Sequence, residues 1–327
     1  MADLNLLWAI LAQLASTSFN FIGMTIQKKA ANSLPLIGEE AGFLKSIKNF
    51  ALNKEWVFGF FLNFVSVVLS AISFALAAIS MVQPFYGFGL IVLVIFTHFY
   101  LKEKITLLDL IGVIIGIIGI VAIGISAVPS EQLYYTVVLE KFLDLRGILF
   151  LSVFLGIALI FYIVSEKTPK TVSIVFLVIS SSIWTATSFI FYKAISAAVR
   201  DIGLIAAFFG EGWLYTWPFI LLIGFVSAIG LIMLNIAYQN GFCVIVVPIF
   251  SSIQVILPVL AGIIIFSEWM NYGTLTIIGQ TIGIIIILIS VIILSISNGK
   301  KEDACQFQVK TDTESNDYAE ELDILEN

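Results

Sequence analysis

Apolar residues fill this chain in long intervals between its charges. A helix that crosses a bilayer needs about 20 consecutive apolar residues, and the charge-free intervals reach that length or about twice it. Two of them, 56–101 and 212–267, are of double length and are each divided into two spans. The pattern predicts nine transmembrane helices, over residues 5–26, 56–79, 81–101, 107–127, 147–165, 171–194, 213–238, 242–266 and 273–296.

Composition agrees with a protein whose solvent is lipid. The chain is 60% hydrophobic and 12% charged, whereas soluble domains are about a quarter charged. The predicted class is an all-α polytopic membrane protein with the bilayer as its main partner. The net charge of −6 comes from the end of the chain, because nine acidic residues and three lysines follow residue 299. The neutral remainder gives no support for nucleic-acid binding, and one histidine excludes a multi-histidine metal site. No cofactor is expected.

The basic residues predict an orientation. Twelve of them fall in the loops and tail on one side of the predicted spans, and four fall on the other. Cytoplasmic loops carry the excess of Lys and Arg in membrane proteins. The N-terminus is therefore predicted outside and the C-terminus in the cytosol, in an integral protein of the cell membrane, with an endomembrane as the alternative.

The first four spans share landmarks with spans six to nine. Each block has a Ser/Thr-rich segment, a proline followed about 20 residues later by a glutamate, and two glycines four residues apart. These landmarks are 16–21, Pro84, Glu103, Gly112 and Gly116, then 186–191, Pro248, Glu268, Gly279 and Gly283. Matched spans are five apart and so run in opposite directions, which is the inverted repeat typical of secondary transporters.

Four regions follow from the repeat. The first transmembrane repeat occupies residues 1–127, and an extracytoplasmic loop with the linker span five occupies 128–170. The second, inverted repeat occupies 171–297. The acidic segment 298–327 has the low hydrophobicity of a disordered tail and is predicted to lie in the cytosol.

Short motifs around these landmarks resemble a known family. They are Trp56-x-x-Gly59, Val82-x-Pro84, Leu101-Lys102-Glu103-Lys104, Leu234-Asn235-x-Ala237, Val247-Pro248 and Glu268-Trp269. The sequence resembles the NIPA-type magnesium transporters, within the drug/metabolite transporter (EamA-like) superfamily. The resemblance implies a carrier of Mg²⁺ or another divalent cation. The alternative is an exporter or exchanger of a small organic solute on the same fold. Motifs of intramembrane enzymes are absent from the sequence, so no enzyme activity is expected.

Polar side chains within the spans are the candidates for a substrate pathway. Hydroxyl and amide groups recur at helical spacing, and the selected residues are Asn20, Gln27, Asn63, Ser66, Ser188, Asn235 and Gln254. Together they can line a wet path, or singly they can hydrogen-bond neighbouring helices. No acidic residue lies near the middle of a predicted span, which disfavours a dehydrated magnesium site. A hydrated ion passing amide and hydroxyl oxygens, or a neutral metabolite, stays open.

Two further residue pairs belong to the matched spans. Pro84 and Pro248 predict broken or irregular helix starts, the alternative being harmless first-turn prolines. Glu103 and Glu268 close these spans at opposite faces, where they attract or gate a cation or are simply solvated. The glycine pairs of spans four and nine predict close helix packing within the chain, with a homodimer through the glycine-rich spans as an additional use.

Overall fold

A computed structural model describes residues 2–32, 52–100, 104–128, 133–240, 243–297 and 300, and helices account for nearly all of them. The helices are α1 (Ala2–Asn32), α2 (Lys54–Leu76), α3 (Ile79–Val82), a 3-10 helix (Gln83–Gly87), α4 (Phe88–Tyr100), α5 (Leu107–Ser126), α6 (Tyr135–Leu143), α7 (Leu145–Lys167), α8 (Lys170–Ile202), α9 (Leu204–Phe209), α10 (Trp213–Asn240), α11 (Cys243–Ile264) and α12 (Thr274–Ser297). The all-α polytopic prediction is confirmed.

Eight segments of the described chain are long and apolar enough to cross a bilayer, and one of them, Ile79–Tyr100, combines α3, the 3-10 helix and α4. The predicted span 242–266 corresponds to α11, whose described apolar part, Ile249–Ile264, is shorter than the others. At 1.5 Å per residue, the whole of α11 is about 33 Å long. Among the described residues, eight segments therefore meet both criteria, and α11 is the predicted ninth span.

The third span and α8 form the centre of the bundle. Of the candidate spans, Ile79–Tyr100 and Val172–Ile202 are the most deeply buried. By contrast, α2, α5, α7 and α10 carry rows of exposed large apolar side chains such as Phe61, Ile117 and Phe225, and these rows suit contact with lipid. Backbone groups in lipid must be paired within the structure, so any interruption at the centre needs partners from neighbouring helices.

The third span contains such an interruption. Helix α2 ends at Leu76, and Ala77 and Ala78 have extended backbone conformations before α3 begins. After one turn of α-helix, the chain tightens into the 3-10 helix with Pro84 in its first turn. Because proline removes a backbone N–H donor and clashes with the preceding turn of an α-helix, the irregular geometry falls where the sequence predicts it.

The predicted division into two inverted repeats stays a prediction. In the second half of the chain, residues 241 and 242, between α10 and α11, lie outside the described residues.

The glycines of spans four and nine pack against each other's helices. A Cβ on Gly112 would lie 2.6 Å from Leu294, and one on Gly116 would lie 2.6 Å from Ser290. In the opposite direction, a Cβ on Gly279 or Gly283 would lie 2.7 Å from Ser126 or 2.5 Å from Ile123. All four glycines therefore permit close packing of α5 on α12 inside one chain. A homodimer would have to use other faces of these helices, and it stays a prediction.

Asp109, the acidic residue in the first turn of α5, caps the start of that helix. Thr106 and Asp109 form a capping box, in which the Thr106 hydroxyl accepts from the Asp109 N–H at 3.2 Å. The Asp109 carboxylate accepts from the Thr106 N–H at 2.7 Å. These contacts satisfy donors that a helix start leaves unpaired. The Thr106 hydroxyl also lies 2.9 Å from the Ser297 hydroxyl, which joins the start of α5 to the end of α12.

Candidate functional site

The seam between α1 and α2 is held by hydroxyl groups. Ser16 donates to the Ser66 carbonyl at 2.8 Å, and its oxygen lies 2.7 Å from the Ser70 hydroxyl. One turn further along α2, Ser73 donates to the Ala9 carbonyl at 2.8 Å. These buried hydroxyls bond backbone carbonyls and one another across the helix pair, as in interhelical hydrogen bonding. The predicted pathway residue Ser66 belongs to this seam.

The seam between α8 and α10 uses a hydroxyl and a backbone carbonyl. Ser181 donates to the Gly230 carbonyl at 2.8 Å, and a Cβ on Gly230 would lie 2.4 Å from Thr185. The predicted pathway residue Ser188 is buried on the same helix, where it donates to the Thr185 carbonyl at 2.7 Å. The glycine thus lets α10 approach α8 closely enough for direct contact.

One of the predicted asparagines, Asn63, lies along the first seam. Asn20 and Asn63 are half-buried, and the Asn63 amide oxygen faces Gly23 of α1 so closely that a Cβ there would be 2.7 Å away. Four of the predicted site residues cannot be placed in this way. Glu103 lies outside the described residues, and so do the side chains of Gln27, Asn235 and Pro248.

Gln254 of α11 lies at the centre of the bundle and joins α8 to the third span. Its side-chain nitrogen donates to the Thr185 hydroxyl in a short hydrogen bond. Its backbone carbonyl accepts from the side-chain nitrogen of Gln83 at 3.0 Å. That carbonyl is available because Pro258, four residues on, has no N–H to bind it. Gln83 therefore connects the irregular third span to a carbonyl that proline has freed in α11.

Glu268 holds the start of α3. Its two carboxylate oxygens accept from the Ile79 and Ser80 N–H groups, each at 2.9 Å. Helix N-termini carry unpaired N–H groups and a partial positive charge, which a carboxylate complements. A Cβ on Gly262 would lie 2.4 Å from one of these oxygens, so this glycine leaves the room that the carboxylate occupies.

Two cations hold the other side of the same break. Lys193, which is 3% exposed, donates to the Phe74 and Ala77 carbonyls at 2.8 and 2.9 Å. Arg200 donates to the Ala75 carbonyl at 3.3 Å and pairs with Asp201 at 2.7 Å. Terminal carbonyls of a helix carry a partial negative charge. The break between α2 and α3 is thus flanked by cations at the helix that ends and an anion at the helix that begins.

Sequence reasoning missed several of these residues. Lys193 counted only as a boundary charge, although a lysine inside an otherwise apolar segment is itself a signal of a buried role. Gln83 and Pro258 were not selected, because their significance lies in a contact between residues 171 positions apart. The described residues contain no group of three or more His, Cys, Asp and Glu side chains that could hold a metal ion. The polar contacts between Gln83, Gln254 and Thr185 at the centre join amides, a hydroxyl and a backbone carbonyl.

Helices of spanning length, a central interrupted span and a neutral polar centre define a polytopic membrane protein with the features of secondary transporters. Residues 5–300 match the model of the family "Magnesium transporter NIPA". The chain belongs to this family.

Curated relatives carry the same family name. A probable magnesium transporter NIPA9 of Arabidopsis thaliana is 40% identical over 124 residues, which cover 38% of this chain and only 35% of that protein. A probable magnesium transporter NIPA6 of the same plant is 25% identical over 299 residues, 90% of this chain and 88% of the relative. The magnesium transporter NIPA4 of Homo sapiens is 24% identical over 86% of this chain and 70% of its own. No solved structure matches the chain.

Proposed function

We propose that this protein carries Mg²⁺ or another divalent cation across a membrane. The observation that carries the proposal is the family match, which extends over residues 5–300 and so includes every described span. The interrupted third span adds support, because secondary transporters bind their substrates where helices are discontinuous. The four site residues Asn20, Asn63, Ser188 and Asn235 are proposed to face the pathway.

Uptake by the purified protein in liposomes tests the proposal. Vesicles that contain a magnesium-sensitive dye should fill faster with the protein than without it, and the rate should saturate with external Mg²⁺. A panel of Ca²⁺, Mn²⁺, Co²⁺ and Ni²⁺ on the same vesicles gives the selectivity. Mg²⁺ entry at the rate of protein-free vesicles would contradict the proposed function.

A second candidate is the export or exchange of a small organic solute. It is favoured by the neutral centre, because the described residues place amides and hydroxyls there and no metal-binding cluster of acidic or histidine side chains. Magnesium prefers carboxylate oxygens when it is dehydrated. Counterflow of labelled amines, nucleosides and amino acids in the same vesicles separates this candidate from cation transport.

The orientation and the repeat belong to the same proposal. We place the N-terminus outside and the C-terminus in the cytosol from the twelve-to-four distribution of basic residues. In a variant without Cys243, an impermeant maleimide should label Cys305 only after the cells are opened. Labelling of intact cells would reverse the orientation. The repeat is supported by its sequence landmarks, because Pro84 and Pro248 are 164 residues apart and Glu103 and Glu268 are 165 apart. Opposite orientation of spans 1–4 and 6–9 would follow from it.

A further inference from the structure

The side chains that hold the α2–α3 break come from the second half of the chain. Lys193 and Arg200 of α8 donate to carbonyls at the end of α2, at distances between 2.8 and 3.3 Å. Glu268 accepts from the first two N–H groups of α3, each at 2.9 Å. These five hydrogen bonds between side chains and backbone therefore tie the break in the first half to α8 and to the residue that follows α11.

The two residues within the break cannot replace these bonds. Ala77 follows the end of α2 and Ala78 precedes α3, and neither can hydrogen-bond through its side chain. The other end of α2 is different, because Asn53 of its own sequence accepts from the Trp56 N–H at 3.0 Å. The backbone groups at the break therefore depend on the second half of the chain, or on water when the two halves part.

Water can reach this end of the bundle. Arg200 and Glu268 are half-buried, and the exposed part of a charged side chain is expected to face water rather than lipid. Water can satisfy freed N–H and C=O groups there, whereas hydrocarbon cannot. The contact between Gln83 and Gln254 at the centre of the bundle is fully buried by comparison. Of these two contacts between the halves, the one at the break is the one that can separate at low cost.

The residue before Glu268 has a strained backbone. Ser267 has a φ of 57°, in the left-handed region that residues with a Cβ adopt rarely. Such strain persists only where the surrounding contacts hold it, and here the N–H groups of Ile79 and Ser80 hold the neighbouring carboxylate. Release of Glu268 would allow Ser267 to relax, which offsets part of the cost of separation.

We propose that Lys193, Arg200 and Glu268 form a latch that closes the protein on the side of the membrane where α2 and α8 end. The carrier opens to that side when the α2–α3 break leaves these side chains and water replaces them. The proposal rests on the carrier function proposed above, and it applies to a cation or an organic solute alike. In the orientation proposed above, this side is the outside, so the structure is closed to the outside.

Cysteine labelling measures whether the latch opens. In a variant without Cys243 and Cys305, Ala197→Cys places a thiol on the face of α8 that carries Lys193 and Arg200, because it lies four residues from one and three from the other. Ala197 is 1% exposed, so the closed protein shields this thiol. The measurement is the rate at which an impermeant, charged methanethiosulfonate labels it from the side of the latch.

Three variants change the latch in known directions. Glu268→Gln removes the charge, and Gly262→Ala leaves every charge in place but puts a Cβ against the carboxylate. Each should raise the labelling rate at least fivefold. Ser267→Gly removes the backbone strain of the closed state, so it should lower the rate at least twofold. Rates within twofold of the intact latch in all three variants would overturn the proposal.

A second thiol at the same depth is the control. Ala198 is 0% exposed and is turned by about 100° from Ala197 around α8, away from the face that carries Lys193. Ala198→Cys should be labelled at the same rate whether the latch is intact or weakened. Equal acceleration of both thiols would mean that the variants loosen the whole bundle, and it would overturn the latch.

A disulfide across the break distinguishes a gate from a permanent joint. A Cβ on Gly262 would lie 3.0 Å from the Ser80 Cβ, within about 1 Å of the usual spacing in a disulfide. Gly262→Cys together with Ser80→Cys should therefore crosslink on oxidation. The crosslinked protein should lose at least nine-tenths of its uptake into liposomes and regain it with a reductant. Either single variant should be unaffected by the oxidant.

The outcomes separate the latch from the transport function. Unchanged uptake after complete crosslinking would show a permanent joint, and it would overturn the latch while the transport function stands. A wild type that moves neither Mg²⁺ nor any organic solute would overturn the transport function, whereas the labelling rates would still show whether the break opens.

Discussion

Two helix interruptions in this protein are satisfied by different chemistry. At the α2–α3 break, charged side chains bind the backbone, with Lys193 on the carbonyls of α2 and Glu268 on the N–H groups of α3. In the middle of α11, the carbonyl freed by Pro258 binds a neutral amide, that of Gln83. Both arrangements connect the first half of the chain to the second, so each interruption is also a contact between the halves.

We infer that the difference follows from depth in the membrane. Lys193 lies 23 residues after the start of α8 (170 to 193), or about 35 Å along its axis, so a hydrocarbon layer of about 30 Å that began at the start of α8 would end before Lys193. Near that boundary, ions cost less to desolvate than they do at the bilayer centre. At the centre, a neutral amide supplies a hydrogen bond without a charge. The lesson is that freed backbone groups are paired by ions at the edge of the membrane and by amides at its middle.

Removal of Lys193 should have the largest effect on the charged break. Lys193→Met leaves the Phe74 and Ala77 carbonyls without this donor, so we expect a loss of stability on the order of 3 kcal/mol. Thermal unfolding in detergent and the yield in membranes measure it. Lys167→Met, at the exposed end of α7, is the control and should change neither. A Lys193→Met protein as stable as the wild type would show that the carbonyls are satisfied without the cation.

Glu268→Gln should have the next largest effect. One amide oxygen can still accept from a backbone N–H of α3, but the NH₂ group would face the other donor, so about 1.5–3 kcal/mol of stability is lost. Exposed Glu166→Gln on α7 serves as the control. The sequence-based hypothesis that Glu268 attracts cations at the pathway mouth predicts a different result. Under that hypothesis, Glu268→Gln is as stable as the wild type and has a higher half-saturating Mg²⁺ concentration. The difference in half-saturation should shrink as salt is added, since charges are screened over about 8 Å at physiological ionic strength.

Pro258→Ala addresses the neutral interruption. The restored N–H can bind the Gln254 carbonyl within α11, in competition with the Gln83 amide. Stability should be unchanged or higher by about 1–3 kcal/mol, because proline inside a helix is destabilising. Mg²⁺ uptake should nevertheless fall several-fold, because Gln83 is no longer held. Pro218→Ala, at an exposed proline inside α10, should leave uptake unchanged. If both alanine variants took up Mg²⁺ at the same rate, Pro258 would have no specific role in transport.

Ser16→Ala should have the smallest effect. The α1–α2 seam pairs hydroxyls with each other, and such contacts contribute about 0.6 kcal/mol on average in membranes. We expect near-normal uptake and a stability change below about 1 kcal/mol. A double-mutant cycle with Ser70→Ala measures the coupling directly. A large loss of uptake would indicate that this seam lines the substrate pathway and does more than join the two helices.

Much of the fold was predictable because a helix that crosses lipid must be a long apolar segment with few charges. The predicted span 56–79 became α2 at Lys54–Leu76, and 107–127 became α5 at Leu107–Ser126. Long apolar intervals bounded by charge leave little freedom in placing such helices. Pro84 also predicted the irregular part of the third span correctly, since the loss of an N–H is a local property of the sequence.

The site was only partly predictable, because its contacts join distant residues. Gln254 was selected as a polar residue in a span, but its partner Gln83 was not. The Ser/Thr-rich segments 16–21 and 186–191 suggested a displacement of 170 residues between the halves. The prolines Pro84 and Pro248 give 164, and the hydroxyl donors Ser16 and Ser181, which each bond a neighbouring helix, are 165 apart. Similar segments in the sequence indicate a repeat, but the hydrogen bonds show which hydroxyl of the first half corresponds to which hydroxyl of the second.

The carboxylate that completes the start of α3 has a consequence for biogenesis. Glu268 follows Ile79 by 189 residues in the chain. At about 5–20 residues per second, a ribosome needs roughly 10 to 40 seconds to add them. During that interval, the third span has entered the membrane without its cap, and a nascent chain arrested before residue 268 exposes an unfinished helix to quality control.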